Sequence, residues 1–303
     1  MDGILPLWKP VGMTSHDCVI KMRKLFKMKK VGHTGTLDPD AEGVLPICFG
    51  QATKIVPFLT DTKKTYIAAL RIGRSTETED ASGATVEEKE VTKLPGREEI
   101  EHVLKRFTGA IVQIPPMYSA VKVNGKKLYE YARAGLPVER PSRTVHIDSL
   151  HIVPHPLEGK DCFGLEIMCS KGTYIRTLCV DIGKELGYPA HMAALERTQT
   201  GDFGKTDAVT FAMLEEAAAE NRLEDFLLPM ERGISHLPRI EVNDETCIRV
   251  KFGQKLPRPD SELPKSPFLM THNDQVLAVY EENQKNEREI RPVRVFTEEQ
   301  KSR

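Results

Sequence analysis

The sequence predicts a two-domain chain that mixes helices with strands and closes in a small β-rich unit. Three observations predict it. The 303 residues suffice for about two domains. Helical and strand-like periods are interspersed as far as residue 237. After Leu237-Pro238 the pattern shifts to short apolar runs, RIEVNDETCIRVKFGQ, FLMTHNDQVLAVYEEN and IRPVRVF, so domains 1–237 and 238–303 are expected.

The elements follow in order. Ser15 is a suitable N-cap, and Val19, Met22 and Phe26 recur at a helical period. SHDCVIKMRKLFKMKK therefore reads as an amphipathic helix with a basic face of Lys21, Arg23, Lys24, Lys27, Lys29 and Lys30. Three glycines and two prolines between Gly32 and Pro46 predict a rigid loop with unusual backbone angles. Residues 65–73 alternate as a strand, and ETEDASGATVEEKE reads as an exposed turn. Residues 98–107 read as a short helix. VKVNGKKLYEYARAGLPVERPSRTVH, broken by Gly125, Gly135, Pro137 and Pro141, reads as a loop-rich arm. Residues 144–153 and 162–170 read as strands, 176–186 as a helix closed by Gly187, and 209–222 as a further helix.

Composition removes several function classes. With 40% apolar and 29% charged residues the chain is expected to be globular, not disordered. No apolar run reaches the ~20 residues of a membrane span. The opening MDGILPLWKP has no basic segment followed by an apolar one, so no secretory signal is expected and the cytoplasm is the expected location. The six cysteines form no C-x-x-C pair, which predicts neither a disulfide framework nor a structural metal. A monomer is the simplest expectation, since no coiled coil is evident.

Net charge is −1, but the distribution is uneven. Residues 1–76 hold 12 Lys and Arg against 6 Asp and Glu, and residues 102–146 hold 8 against 2. The intervening 77–101 hold 3 against 9, and 147–303 hold 20 against 27. Two basic blocks could therefore make one positive face for a polyanion. In the second block Tyr129 and Tyr131 lie among the cations, a combination that suits RNA, where bases stack and phosphates pair.

The densest cluster of chemical groups is the loop itself, with His33, Asp38, Asp40 and Glu42 in one short stretch. A rigid loop holds an acid in one geometry. No phosphate loop, no dinucleotide G-x-G-x-x-G and no G-x-S-x-G elbow is present. Acid-centred chemistry without a cofactor or metal is what remains.

GHTGTLDPDAEGVLPICFGQATK resembles the signature of the tRNA pseudouridine synthase B (TruB) family. DGILPLWKPVGMTSHDCV resembles the family's opening segment, KKTYIAALRIGRSTETEDASG its second motif, PPMYSAVKVNGKKLYEYARAG its third, and KGTYIRTLCVDIGKELG its fourth. The blocks keep the family's order across residues 2–201. The resemblance implies an α+β fold, with a mixed, largely antiparallel sheet crossed by a catalytic cleft and a small PUA-like β domain after it. It implies conversion of uridine to pseudouridine in the T loop of tRNA, at the position conventionally numbered 55, without metal or nucleotide.

Residue by residue, Asp38 matches the family's catalytic aspartate. Arg176 matches the arginine paired with it, a guanidinium that would keep the carboxylate ionised and oriented. Tyr66 matches the tyrosine that stacks on the target base. Leu195 and Tyr174 are expected at the uracil pocket. His33 is expected to help displace T-loop bases, since the target must leave its stack. Lys63 and Lys64 are expected to touch phosphate. Lys122, Lys126, Lys127, Arg133, Arg140 and Arg143 are expected to clamp the T arm from a flexible segment, 122–146. Glu196 departs from the pattern, where the family more often has a basic residue. No obligatory protein partner is expected. Three rival readings are a guide-RNA-dependent synthase, a non-catalytic tRNA-binding and folding protein, and an acid-based glycosidase. The last leaves the basic, aromatic arm unexplained.

Overall fold

The computed structural model describes residues 1–259 and 262–296 of the chain. It opens with β1 (Gly3–Lys9), almost wholly buried, and α1 (Ser15–Leu25). Thr14, not Ser15, is the N-cap. Its hydroxyl accepts from the Asp17 amide at 3.0 Å while the Asp17 carboxylate accepts from the Thr14 amide at 3.0 Å. The helix also stops earlier than its apolar period suggests. Lys27 takes a left-handed φ of 49°, so Lys29 and Lys30 lie beyond the helix.

β2 (Val31–His33) and β3 (Glu42–Phe49) pair antiparallel and hold the loop 34–41 between them. α2 (Val56–Thr60) leads into β4 (Lys64–Ile72). A two-stranded flap, β5 (Arg74–Thr76) and β6 (Thr85–Glu88), precedes α3 (Arg97–Arg106) and β7 (Gly109–Gln113). The arm is not the open loop predicted. It folds as a hairpin, β8 (Lys122–Val123) and β9 (Lys126–Lys127), followed by α4 (Leu128–Arg133). Asn124 and Gly125, at φ of 50° and 81°, supply the left-handed turn that two-residue hairpins need. Leu128, fully buried, anchors the helix. Then come β10 (Arg143–Val153), β11 (Cys162–Cys169), α5 (Ile175–Glu185), β12 (Ala190–Thr200), β13 (Phe203–Gly204) and α6 (Phe211–Ala219).

Nine of these strands form one sheet in the order β1-β3-β12-β4-β11-β10-β7, with β2 on β3 and β13 on β12. Every pairing is antiparallel except β3 with β12, where Gly43 lies opposite Arg197. A Cβ at Gly43 would sit 2.2 Å from the Arg197 carbonyl oxygen, so only glycine fits this crossing. The fold is thus α+β with a mixed, largely antiparallel sheet. One apolar layer joins α3 and α5 to the centre through Ile100, Leu104, Leu178, Ile182 and Ile167. Another joins α1 and α6 to β1 and β3 through Met22, Leu5, Ile47 and Leu214. Each such side chain contributes about 1.5–3 kcal/mol on burial.

The second sheet draws on β14 (Arg239–Glu241), β15 (Leu256–Pro257), β16 (Phe268–His272), β17 (Gln275–Glu282) and β18 (Glu289–Val295), in the order β14-β16-β17-β18-β15. Between β14 and β15 lies α7 (Asp244–Lys251), a helix that the reading of short β runs missed. Asn243 caps it, accepting from the Thr246 amide at 2.9 Å, and Cys247 and Val250 pack with Phe268 and Tyr280. Leu269, Val276 and Val279 of this sheet pack against Ile4, Ile55 and Ile234 of the first unit. All six cysteines are buried free thiols. Among the described residues no helix is long and apolar enough to cross a membrane.

Candidate active site

The loop 34–41 is pinned on both sides of Asp38. On the side before it, Ser15 Oγ accepts from the Leu37 amide at 2.9 Å and donates to the Leu37 carbonyl at 3.2 Å. Arg197, 1% exposed, donates from Nη2 to the Gly35 carbonyl and from Nε to the Val44 carbonyl, both at 2.9 Å. On the side after it, the fully buried Lys9 donates from Nζ to the Pro39 carbonyl at 3.2 Å, and the Gly12 amide donates to the same oxygen at 2.9 Å. A buried ammonium spent on carbonyls is costly to remove. The loop is thereby a fixed mount.

Arg176, in the first turn of α5, faces Asp38 as a fork. Nε lies 3.0 Å from Oδ2, and Nη2 donates to Oδ1 at 3.4 Å. The guanidinium is itself held, donating from Nη1 to the Thr78 carbonyl at 2.9 Å and from Nη2 to the Tyr118 carbonyl at 3.0 Å. Its side chain is 6% exposed, whereas that of Asp38 is 39% exposed and open to the cleft. Burial pushes the Asp38 carboxyl above its ordinary range. The pull of Arg176 opposes this, and Asp80 and Asp40 add to the rise. This corrects the expectation that Arg176 fixes the ionisation. It orients Asp38 and limits the rise, but burial sets the direction.

The cleft encloses about 450 Å³. Strand register brings its walls together. Tyr66 lies opposite Arg197, and Ala68, two residues on, lies opposite Leu195, so Tyr66, Leu195 and Arg197 share one face of the sheet. Burial pushes the Tyr66 phenol up against the opposing pull of Arg197, which keeps it protonated. Tyr174, the N-cap of α5, also lines the cleft. The buried Gln113 accepts from its amide at 3.0 Å and donates to its carbonyl at 3.1 Å. Among the described residues no three His, Cys, Asp or Glu side chains gather as a metal-ligand set.

The family model described as TruB family pseudouridylate synthase (N terminal domain) matches residues 23–175. A second, the tRNA pseudouridylate synthase B C-terminal domain, matches 176–235. A curated protein of Oceanobacillus iheyensis named tRNA pseudouridine synthase B is 58% identical over 303 residues, covering 99% of each chain. The chain belongs to the TruB family. A Bacillus pumilus protein of the same name is 46% identical over 100% of both chains. Among solved structures, a Cbf5-Nop10-Gar1 complex contains a chain superposing with a TM-score of 0.70 at 27% identity, over 92% of this chain and 77% of that one. A further structure, an H/ACA RNP bound to a substrate RNA, shares the fold with a TM-score of 0.73 at 24% identity, over 98% and 85%. The family's second model ends at residue 235 and lies on α5, β12 and α6, within the first sheet and not the second.

Within this TruB-family cleft, Asp38, Tyr66, Arg176, Leu195 and Tyr174 come together. The two predicted phosphate lysines part company. Lys63 is exposed and paired with Asp148 at 2.6 Å. Lys64 is buried and lines the cleft, donating to the Thr60 carbonyl at 2.7 Å and to the Thr62 carbonyl. Burial, aided by Arg197, brings its amine down to about 8. His33 ends β2, half-buried and held towards its neutral form by burial, with Nδ1 unpartnered among the described residues.

On the arm, Lys122, Lys126 and Arg133 are exposed, and Lys127 and Arg133 lie 5.3 Å and 5.4 Å from the Tyr129 ring, which reaches the cleft. Arg143 lies 5.5 Å from the Tyr174 ring, and Arg140 donates to the Pro115 carbonyl at 3.0 Å. Glu196 pairs with Lys205 at 2.8 Å.

Sequence reasoning missed Arg197, Lys9, Gln113 and the loop role of Ser15. It also read 77–90 as an exposed turn. The exposure holds for Thr85–Glu88, which form strand β6 and not a turn, but not for Glu79, which accepts from Thr177 at 2.8 Å, nor for Asp80, whose carboxylate lies 3.8 Å from Arg176. The only local signal for Arg197 is its place two residues after Leu195 in LERTQTGDF, the spacing of one strand face.

Proposed function

We propose that this protein isomerises uridine to pseudouridine at position 55 in the T loop of tRNA, with Asp38 acting on the ribose of the target nucleotide. The Arg176 fork on Asp38, in a cleft shared with Tyr66 and Leu195, carries the reading. The C1′–N1 bond breaks, the uracil turns, and a C1′–C5 bond forms. The hydrogen of C5 leaves as a proton and N1 regains one, so product and substrate are isomers and no cofactor is consumed. A carboxylate suits this because it can attack C1′ or take a proton from the ribose. Arg176 holds the carboxylate in place for that step and works against the rise in its pKa. Tyr66 offers a ring face to the uracil and a protonated phenol near C5. Leu195 supplies apolar contact. A cleft of this size accepts one flipped nucleotide, and His33 fills the stack that the nucleotide leaves.

The arm's Lys122, Lys126, Lys127, Arg133 and Arg143 hold the T-arm phosphates, with Tyr129 between them and the cleft. Residues 1–237 form the catalytic unit and 238–303 the β-rich unit, of which 260–261 and 297–303 lie outside the described residues. The protein works as a cytoplasmic monomer without a protein partner. A guide-RNA-dependent reading draws support from the structural neighbour in a Cbf5-Nop10-Gar1 complex. The 58% identity to a protein named for tRNA outweighs it. The test is carbodiimide mapping of an unmodified tRNA transcript after incubation with the purified chain and no other macromolecule. One new pseudouridine in the T loop is expected. Modification only when a guide RNA is added would overturn the reading.

A further inference from the structure

The basic stretch after α1 is not used by the cleft. Lys21 is spent on Glu215 at 2.7 Å and on the Phe211 ring at 4.2 Å, and Arg23 donates to the Val31 carbonyl at 3.0 Å. Lys24, Lys27, Lys29 and Lys30 remain exposed, and none is in an ion pair among the described residues. Helix-dipole complementarity accounts for Lys24, in the last turn, but not for the three lysines beyond the helix. Four like charges within seven residues repel one another, so the cluster costs stability unless a polyanion covers it.

Hydrogen bonds at both ends of α1 set its position. The start of α1 is tied to Leu37 by Ser15, and its end to Val31 by Arg23. The helix is 11 residues long, so its basic end lies one helix length, roughly 16 Å at a rise of about 1.5 Å per residue, from the end tied to Leu37. β2 runs back from Lys30 through His33 to that loop. On the other side of Asp38, Arg176 donates to the Tyr118 carbonyl, which leads into the arm. Asp38 is thus linked through α1 and β2 to one cationic group and through Arg176 and Tyr118 to another, and only the second is assigned above to the T arm.

We infer that Lys24, Lys27, Lys29 and Lys30 form a second RNA surface, which binds the phosphate backbone of tRNA outside its T arm. The inference rests on the T-arm reading above and extends it to the rest of the substrate.

The experiment replaces all four lysines with glutamine and measures binding and tritium release on two substrates, a full-length tRNA transcript and the isolated T-arm stem-loop. The quadruple Lys→Arg variant serves as the charge-retaining control. For full-length tRNA the glutamine variant is expected to bind about tenfold more weakly at low salt, with its log–log salt slope smaller by about one for each phosphate no longer neutralised. Stem-loop binding and turnover are expected to match wild type, and the arginine variant to behave as wild type on both. Unchanged affinity for full-length tRNA would overturn the inference, as would equal weakening on both substrates. If wild type bound both RNAs but released tritium from neither, the functional reading would fail, while the binding comparison would still judge the surface.

Discussion

The two walls of the cleft are built differently. The wall that carries Asp38 is fastened by buried groups: Ser15, Lys9 and Arg197 each hold a backbone carbonyl of loop 34–41 or its flank. The opposite wall, the arm, presents exposed Lys122, Lys126 and Arg133 and is fastened at few points. These include buried Leu128 and the Arg140 bond to Pro115. Chemistry needs a reacting group fixed to a fraction of an ångström. Gripping a phosphate backbone needs charge and reach, and tolerates movement. The difference predicts that changes on the loop wall act on turnover, and changes on the arm act on affinity.

The largest effect is expected from Arg176. Arg176→Ala removes the fork and leaves Asp38 to burial, so kcat should fall on the order of 10²–10³-fold. The acid limb of the pH–rate profile should move further up. Arg176→Lys should not restore the rate, because an ammonium cannot hold both carboxylate oxygens as well as the Thr78 and Tyr118 carbonyls. An equal loss in affinity with unchanged kcat would break the contrast between the walls.

Ser15→Ala should act more mildly. It leaves the Leu37 amide and carbonyl without their partner in a buried setting, a cost of about 1–3 kcal/mol. A kcat lowered by about tenfold with KM unchanged is expected from steady-state kinetics. A change in KM alone would show that the loop binds and does not merely aim Asp38.

Burial of the loop wall also sets a pH dependence. A raised Asp38 pKa means that the carboxylate takes up its proton at a higher pH than a free aspartate does. Activity requiring the ionised form is present above that pKa and is lost as pH falls through it. The acid limb of kcat/KM should therefore lie above the ordinary aspartate value. A limb below it would mean that Arg176 outweighs burial.

The smallest catalytic effect is expected on the arm. Lys122, Lys126 and Lys127 changed together to Gln should weaken tRNA binding and reduce the salt slope by up to about three, with kcat within about twofold of wild type. A large fall in kcat would show that the arm also assembles the catalytic wall.

How legible each wall was in the sequence differs in the same way. The motif loop announced itself through local density: three glycines, two prolines and three carboxylates. Strands over 144–153 and 162–170 were readable because alternation is local, and the structure has Arg143–Val153 and Cys162–Cys169. What fastens the loop was not readable. Lys9, Ser15 and Arg197 act across 30, 22 and 162 residues of chain. Ser15 looked like a helix cap because Ser and Thr are interchangeable there, and only the Asp17 spacing decides for Thr14. α7 was lost among β-branched residues, although N-D-E-T at its start is a capping pattern. Asp80 was hidden in an acidic run that includes the exposed Glu87 and Glu88.

The most direct test of the central claim, that Asp38 drives the isomerisation, is single-turnover tritium release from tRNA labelled at uridine C5. Wild type and Asp38→Asn would be compared at saturating protein, with binding measured in parallel. The expected result is release from one uridine per tRNA by wild type, and none by Asp38→Asn despite full binding. Release by Asp38→Asn at a rate near wild type would contradict the claim and move the chemistry to another group in the cleft.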